Sequence, residues 1–279
     1  MTASTTSPEV CGDVVGATRD ARRPGPQPVL LRAVSRRFGD GAHSHEVLAG
    51  VSLDIAAGEI VALIGSSGSG KSTLLREICG LDRPDEGQVV IGDRPVAGVD
   101  PRCAVAFQEP RLLPWRTARD NVRLGLPRGT PRRAGDARVD ELLELVGLTD
   151  AARRRPREVS GGMAQRISLA RALARGPSVL LLDEPFGALD ALTRLRMQDL
   201  LLDLHAAEPT TVVLVTHDVE EALYLSDRVA LLGSTGPGRG ADIRSVTTVP
   251  GERPRARADA ELARLRAELL AGLGVPARH

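Results

Sequence analysis

Lysine is almost missing from this chain: of 37 basic residues, one is lysine, Lys71, and the rest are arginine. Taken alone, that ratio is a compositional bias toward arginine, and it leaves one position to explain. Aromatic residues are scarce, with three Phe, one Tyr and one Trp, which disfavours platforms for stacking nucleic-acid bases. A net charge of +1 supplies no global basic field, so nucleic acid is not an expected partner. The three cysteines, Cys11, Cys79 and Cys103, form no paired framework and no CxxC, which fits a reducing compartment and argues against structural zinc. No apolar run approaches the roughly 18 residues of a spanning helix, so the chain is not expected to cross a membrane. Its start lacks the apolar stretch of roughly 7–15 residues that marks a secretory signal. What remains is 279 residues, 42% hydrophobic, enough for a sizeable core in one large domain or two small ones.

The pattern along the chain is that of an α/β protein. Residues 1–27 are rich in Thr, Ser, Pro and Gly without periodicity and read as a disordered tail. Strand patterns follow at 29–34, 47–53 and 60–64, with a hairpin at 88–91 and 94–97 around Gly92-Asp93. Short apolar runs at 61–64, 104–107, 179–182, 212–215 and 229–232 alternate with helical patterns, which predicts a parallel core sheet beside an antiparallel layer. Residues 117–150 are mostly helical in pattern and read as a lobe inserted between two core strands. From Gly236 onward Gly, Pro and Arg suggest a loosened tail. It ends in a helix near 258–273 whose stripe of Leu262, Leu265, Leu269 and Leu273 suits packing on the protein's own surface.

The lone lysine sits in Gly65-Ser66-Ser67-Gly68-Ser69-Gly70-Lys71-Ser72-Thr73, which fits G-x-x-x-x-G-K-[ST] between a strand and a helix. Glycines let backbone N–H groups curl around an anion, and the following helix start adds its positive end. Lys71 then provides a point charge for β- and γ-phosphates, and the Ser72 hydroxyl a ligand for Mg²⁺. The apolar strand 179–182 ends in Asp183-Glu184, at the strand end where α/β sheets collect ligands. Asp183 is placed to hold the Mg²⁺ shell and Glu184 to polarise a water; a helix cap is the alternative. Gln108 and His217 also follow core strands. Gln108 suits the metal or its water, or is a surface glutamine; His217 suits the γ-phosphate, or is structural. His43 and His45 fall in a hairpin loop with no third ligand nearby, so metal binding there is not expected. Val159-Ser160-Gly161-Gly162-Met163 opens a strong helix and reads as a simple capped start or as a second, outward-facing phosphate site. Two copies packed head-to-tail would use both sites.

Together these motifs, over about residues 28–235, resemble the ATP-binding subunits of ABC transporters. The resemblance identifies the 65–73 loop as Walker A, Gln108 as the Q-loop glutamine, 159–163 as the signature and 179–184 as Walker B. Gly187-Ala188-Leu189-Asp190 matches the D-loop, His217 the switch histidine, and Phe38 the aromatic that stacks on adenine. Val159 and Met163 depart from the family's Leu and Gln at the two ends of the signature. The resemblance implies a P-loop NTPase (RecA-like) parallel-sheet core with an antiparallel β subdomain and an inserted helical subdomain at about 109–165. Residues 236–279 form a C-terminal extension. Expected ligands are ATP and Mg²⁺, with Ser160, Gly161, Gly162 and Asp190 completing the nucleotide site across a homodimer. The run from Phe107 to Trp115, followed by Asp120-Asn121-Val122, is similar to importers of the nitrate, sulfonate and taurine type. Its Leu-Leu-Pro-Trp loop suits docking of a membrane permease near Gln108–Trp115, or local packing of the lobe. A peripheral site on the cytoplasmic face of the plasma membrane follows, with an extracytoplasmic solute-binding protein as indirect partner. A soluble ABC-type ATPase that takes no part in transport is the alternative.

Overall fold

The computed structural model describes residues 24–39, 44–234, 236 and 238–274; Cys11, His43 and most of the expected tail lie outside them. One ten-stranded mixed sheet organises the chain, in the order β5-β4-β1-β2-β10-β9-β3-β8-β7-β6. Its strands are β1 (Val29–Phe38), β2 (His45–Ile55), β3 (Ile60–Ile64), β4 (Glu86–Ile91), β5 (Arg94–Pro95), β6 (Cys103–Phe107), β7 (Val179–Asp183), β8 (Thr211–Val215), β9 (Arg228–Ser234) and β10 (Ala241–Thr248). From β9 to β6 neighbouring strands run parallel. β3 and β8 are buried at every residue, as expected for continuous apolar strands covered on both faces. Val61 and Leu63 face one cluster with α1 (Lys71–Ile78), while Ala62 and Ile64 face another with α6 (Val219–Leu225) and α7 (Ala260–Gly272).

The antiparallel layer is the other end of the same sheet. β1 pairs with β2 and β4 in antiparallel register. The helical lobe holds α2 (Ala118–Arg123), α3 (Arg132–Leu145) and α4 (Gly161–Ala174), and α5 (Ala191–Ala207) follows β7. Salt bridges from Arg119 and Arg123 to Asp136 clip α2 onto α3. Valines and leucines of all three lobe helices join those of β7 and β8 in one core. No helix among the described residues is long and apolar enough to cross a membrane.

The expected loosening from Gly236 is corrected by β10. Ala241–Thr248 pairs with β9 along its length and touches β2 at Ala241 opposite Leu48, so it joins the two halves of the sheet. Its sequence, Ala-Asp-Ile-Arg-Ser-Val-Thr-Thr, has one buried end and an exposed middle; sheet position, not hydrophobicity, orders it. α7 does pack on the protein itself, through buried Leu262, Leu265 and Leu269. The second hairpin arm is shorter than expected, Arg94–Pro95 alone, although the Val96 N–H still donates to the Val89 carbonyl at 2.9 Å.

Candidate active site

The carboxyl ends of four adjacent parallel strands meet here. Register sets Phe107 opposite Asp183, Asp183 opposite Val215, and Leu63 opposite Val215. The residues just beyond, Gln108, Glu184, Thr216-His217 and the 65–73 loop, therefore emerge side by side.

The loop is wound around its own lysine. Lys71 Nζ donates to the carbonyls of Gly65 (2.8 Å) and Ser66 (2.9 Å). Gly68 and Gly70 have φ of 78° and 86°, left-handed values that favour glycine. Gly65 is required by crowding instead: a Cβ there would lie 2.4 Å from the Leu232 carbonyl oxygen and 2.6 Å from Ser69 Oγ. The loop ends at Lys71, the first residue of α1, two residues earlier than the pattern suggested. Ser67 and Gly68 form the turn closed by the Ser69 N–H donating to the Ser66 carbonyl at 3.2 Å, and Ser72 and Thr73 lie in the first turn of α1.

Ser72 Oγ donates to Asp183 Oδ1 at 3.1 Å. Burial pulls the Lys71 ammonium below its ordinary value, against the opposing pull of Glu184 and Asp183. Burial also raises Asp183, with the Ser72 hydrogen bond opposing and the Glu184 charge adding to it. Two hard oxygen donors from separate elements and a second carboxylate beside them suit a small divalent cation. The glycine cradle next to them suits a phosphate chain. The residues present thus fit Mg²⁺ and a nucleoside phosphate.

Glu184 itself has φ +46°, a left-handed conformation unfavourable for a non-glycine residue. Its N–H donates to the Val215 carbonyl at 2.9 Å, and its Oε2 lies 3.2 Å from His217 Nδ1. His217 stands between two anchored neighbours. The Thr216 hydroxyl donates to buried Glu221, and Asp218 caps α6 through the N–H groups of Glu220 and Glu221. Gln108 is outside the Ser72–Asp183 pair. A Cβ on Gly187 would come 3.1 Å from the Gln108 amide nitrogen and 3.7 Å from Glu184 Oε2, so amide and carboxylate flank one glycine.

Other predicted residues lie farther out. Ser160 caps α4, its Oγ accepting from the Met163 N–H at 3.3 Å. That cap draws Gly161 and Gly162 into the first turn, so the helix begins earlier than expected. Gly161 has open space around it, whereas a Cβ on Gly162 would meet Thr193 Cγ2 at 2.5 Å. Asp190 caps α5, accepting from the Thr193 N–H at 3.0 Å; that bond holds its carboxyl below the usual range. Phe38 ends β1 opposite His45, 42% exposed, with the Arg36 guanidinium 4.6 Å from its ring. His45 thus opens β2. Two residues on, Val47 and Leu48 crowd Gly70, so the start of β2 lies against the loop.

Three supports were not read from the sequence. Gln165 of α4 donates to the Phe107 carbonyl at 3.1 Å, tying the lobe to the strand that bears Gln108. Gly187 admits the Gln108 amide. Asn121, fully buried, accepts from the Leu113 N–H (2.8 Å) and donates to the carbonyls of Leu113, Arg116 and Thr117. That staple turns Trp115 outward, 67% exposed, while Leu112 packs on the lobe. Asn121 had a signal in its place in the importer-like run and Gly187 in the D-loop match; Gln165 had none.

Comparison with known proteins shows the family. Residues 48–187 match the family described as ABC transporter. The chain is 49% identical over 244 residues, 87% of its length and 85% of the relative's, to an aliphatic sulfonates import ATP-binding protein of Burkholderia lata. It is 51% identical to the protein of that name from Granulibacter bethesdensis, over 88% of this chain and 94% of the relative. A solved dimeric ATP-binding cassette in a post-hydrolysis state, bound to ADP and Pi, superposes with a TM-score of 0.69. It shares 33% identity over 80% of this chain and 100% of the solved one.

Proposed function

This chain belongs to the ABC transporter family, and from that premise we propose that it is the ATP-hydrolysing subunit of an importer of aliphatic sulfonates. The observation that carries the reading is the convergence of Lys71, Ser72–Asp183 and Glu184–His217 at adjacent strand ends. The 65–73 loop and the start of α1 receive the triphosphate through backbone N–H groups, and Phe38 supports the base. Lys71 changes acceptors, from its own loop carbonyls to phosphate oxygens. Ser72, Asp183 and Gln108 would hold Mg²⁺, which supplies charge neutralisation on the phosphates. Glu184 accepts a proton from the water that attacks the γ-phosphorus, and His217 steadies both. Ser160, Gly161, Gly162 and Asp190 close over the nucleotide of a second copy, a symmetric arrangement with two equivalent sites. The dimeric cassette bound to ADP and Pi supports that sandwich.

The cargo reading rests on the names of the relatives, and taurine or nitrate is the second choice. The exposed Trp115 loop supports a permease contact that transmits dimer closure, with the subunit held on the cytoplasmic membrane face and a solute-binding protein outside. Growth tests this. A deletion strain should fail on an alkanesulfonate as sole sulfur source, recover with the wild-type gene and not with Lys71→Ala. Recovery with Lys71→Ala would remove the phosphate-loop assignment. Undiminished growth of the deletion strain on sulfonates, with loss on nitrate, would replace the cargo.

A further inference from the structure

A cavity of about 490 Å³ lies between the helical lobe and the core, within the roughly 300–1,000 Å³ typical of small-ligand sites. The end of α3, the first turns of α4 and the first half of α5 line it, with Ser160 on its wall. The rest of its wall takes part in no step of the ATP reaction. Two guanidinium groups line it, Arg166 and Arg196. Arg166 is fixed by donation to the Val146 carbonyl at 3.0 Å. Arg196 is exposed and makes no hydrogen bond or ion pair among the described residues. Burial and the Arg196 charge both lower the Arg166 pKa, so the two cations feel each other. Glu144 is the one carboxylate among the lining residues, and it forms no ion pair with either arginine among the described residues. The wall is therefore net positive, and a cleft of one sign concentrates counter-ions. The floor is different in kind: Leu145, Met197 and Leu200 are apolar. An inorganic anion would use the arginines and leave that floor wet.

We infer that this cavity binds a small organic oxyanion with a short alkyl chain, its head group on Arg166 and Arg196 and its chain on Leu145, Met197 and Leu200. The head-group chemistry is shared by sulfonates and carboxylates. The preference for a sulfonate rests on the proposed cargo; the site itself does not. The occupant touches both the lobe and α5, so it joins two parts of the chain beside the signature turn.

Isothermal titration of the full chain with ethane-, butane- and hexanesulfonate, hexanoate and sulfate tests this. Affinity should rise by about fourfold per methylene until the floor is covered. Hexanesulfonate should bind more tightly than hexanoate if sulfonate is the ligand; the reverse order assigns the site to carboxylates, within the same inference. Arg196→Glu, at an exposed position, should weaken hexanesulfonate at least tenfold, and Glu144→Gln should tighten it. Melting curves of both variants confirm that they fold. Lys71→Ala should leave the affinity unchanged; a loss there would put the anion in the phosphate loop and overturn the inference. So would affinity insensitive to Arg196→Glu, sulfate binding as tightly as hexanesulfonate, or no heat at millimolar ligand. Binding with a different cargo in the growth assay leaves this site and removes the cargo. The right cargo with no binding does the opposite.

Discussion

Glu184 sits at φ +46°, a conformation that costs a non-glycine residue on the order of 1–3 kcal/mol, and it holds a carboxylate 3.2 Å from His217. Glu184→Gln keeps the size of the side chain and loses the proton acceptor. Turnover should fall by on the order of 10²–10⁴-fold while nucleotide binding survives; single-turnover assays beside equilibrium binding separate the two, and equal losses in both would make Glu184 structural. A second carboxyl makes its point through stability. Glu77 of α1 is 1% exposed, and neither of its oxygens has a hydrogen-bond partner. Burial, reinforced by Asp82 and opposed by Arg36, raises it from 4.5 to about 8. The unfolded chain releases this proton near 4.5 and the folded one near 8. Below that window the group costs nothing in proton terms; across it, stability falls by about 1.4 kcal/mol per pH unit. Glu77→Gln should therefore gain on the wild type as pH rises from 5 to 8. Denaturant titrations at three pH values measure the difference, and a constant difference would contradict the assignment.

At the scale of elements, short segments are positioned by side chains from elsewhere. Asn121 of α2 shapes residues 113–117 by four hydrogen bonds. Asn121→Ala takes the partner from the Leu113 N–H and the Arg116 carbonyl, whereas the Leu113 and Thr117 carbonyls keep backbone donors; the change should destabilise the fold by about 2 kcal/mol. Trp115→Ala removes an exposed ring and should change stability by less than about 0.5 kcal/mol. ATP hydrolysis by the isolated Trp115→Ala subunit should persist, while assembly with the permease falls. Loss of isolated activity would place Trp115 in the lobe's packing. Arg255 does the corresponding work for α6. Buried to 8% exposure, it donates to the carbonyls of Leu223, Tyr224 and Ser226, and to Val249 and Pro250. Those bonds satisfy the carbonyls at and just past the end of α6, the helix that follows His217.

For the whole molecule, the proposed sandwich requires one chain to carry both of its halves on separate surfaces. The phosphate loop lies at the strand ends, and Ser160 and Gly161 are exposed at the start of α4. Glu184→Gln with ATP and Mg²⁺ should shift from monomer to dimer in size-exclusion chromatography, less so with ADP. Adding Ser160→Arg should abolish the shift. A Glu184→Gln protein that stays monomeric at high ATP and protein concentration would count against a sandwich formed by the subunit alone.

The short-range chemistry of this protein was legible in its sequence. The 65–73 loop, the acidic end of β7 and the Ser160 cap are contiguous motifs, and their physics depends on neighbours a few residues away. The buried parallel strands were legible as well, since covering both faces demands unbroken apolar runs. What only the tertiary structure decided involves partners far apart in the chain. β10 is polar and reads as tail, yet it is a strand because β9 and β2 offer it backbone partners. Arg255, in a run of Gly, Pro and Arg, has meaning only beside the carbonyls of α6. Gly187 leaves room for the Gln108 amide, which arrives from the end of β6. Arg166 and Arg196 share a cavity only once α4 and α5 pack together. Periodicity and spacing encode what a residue's sequence neighbours require; backbone pairing, close approach and shared charge depend on which segments meet.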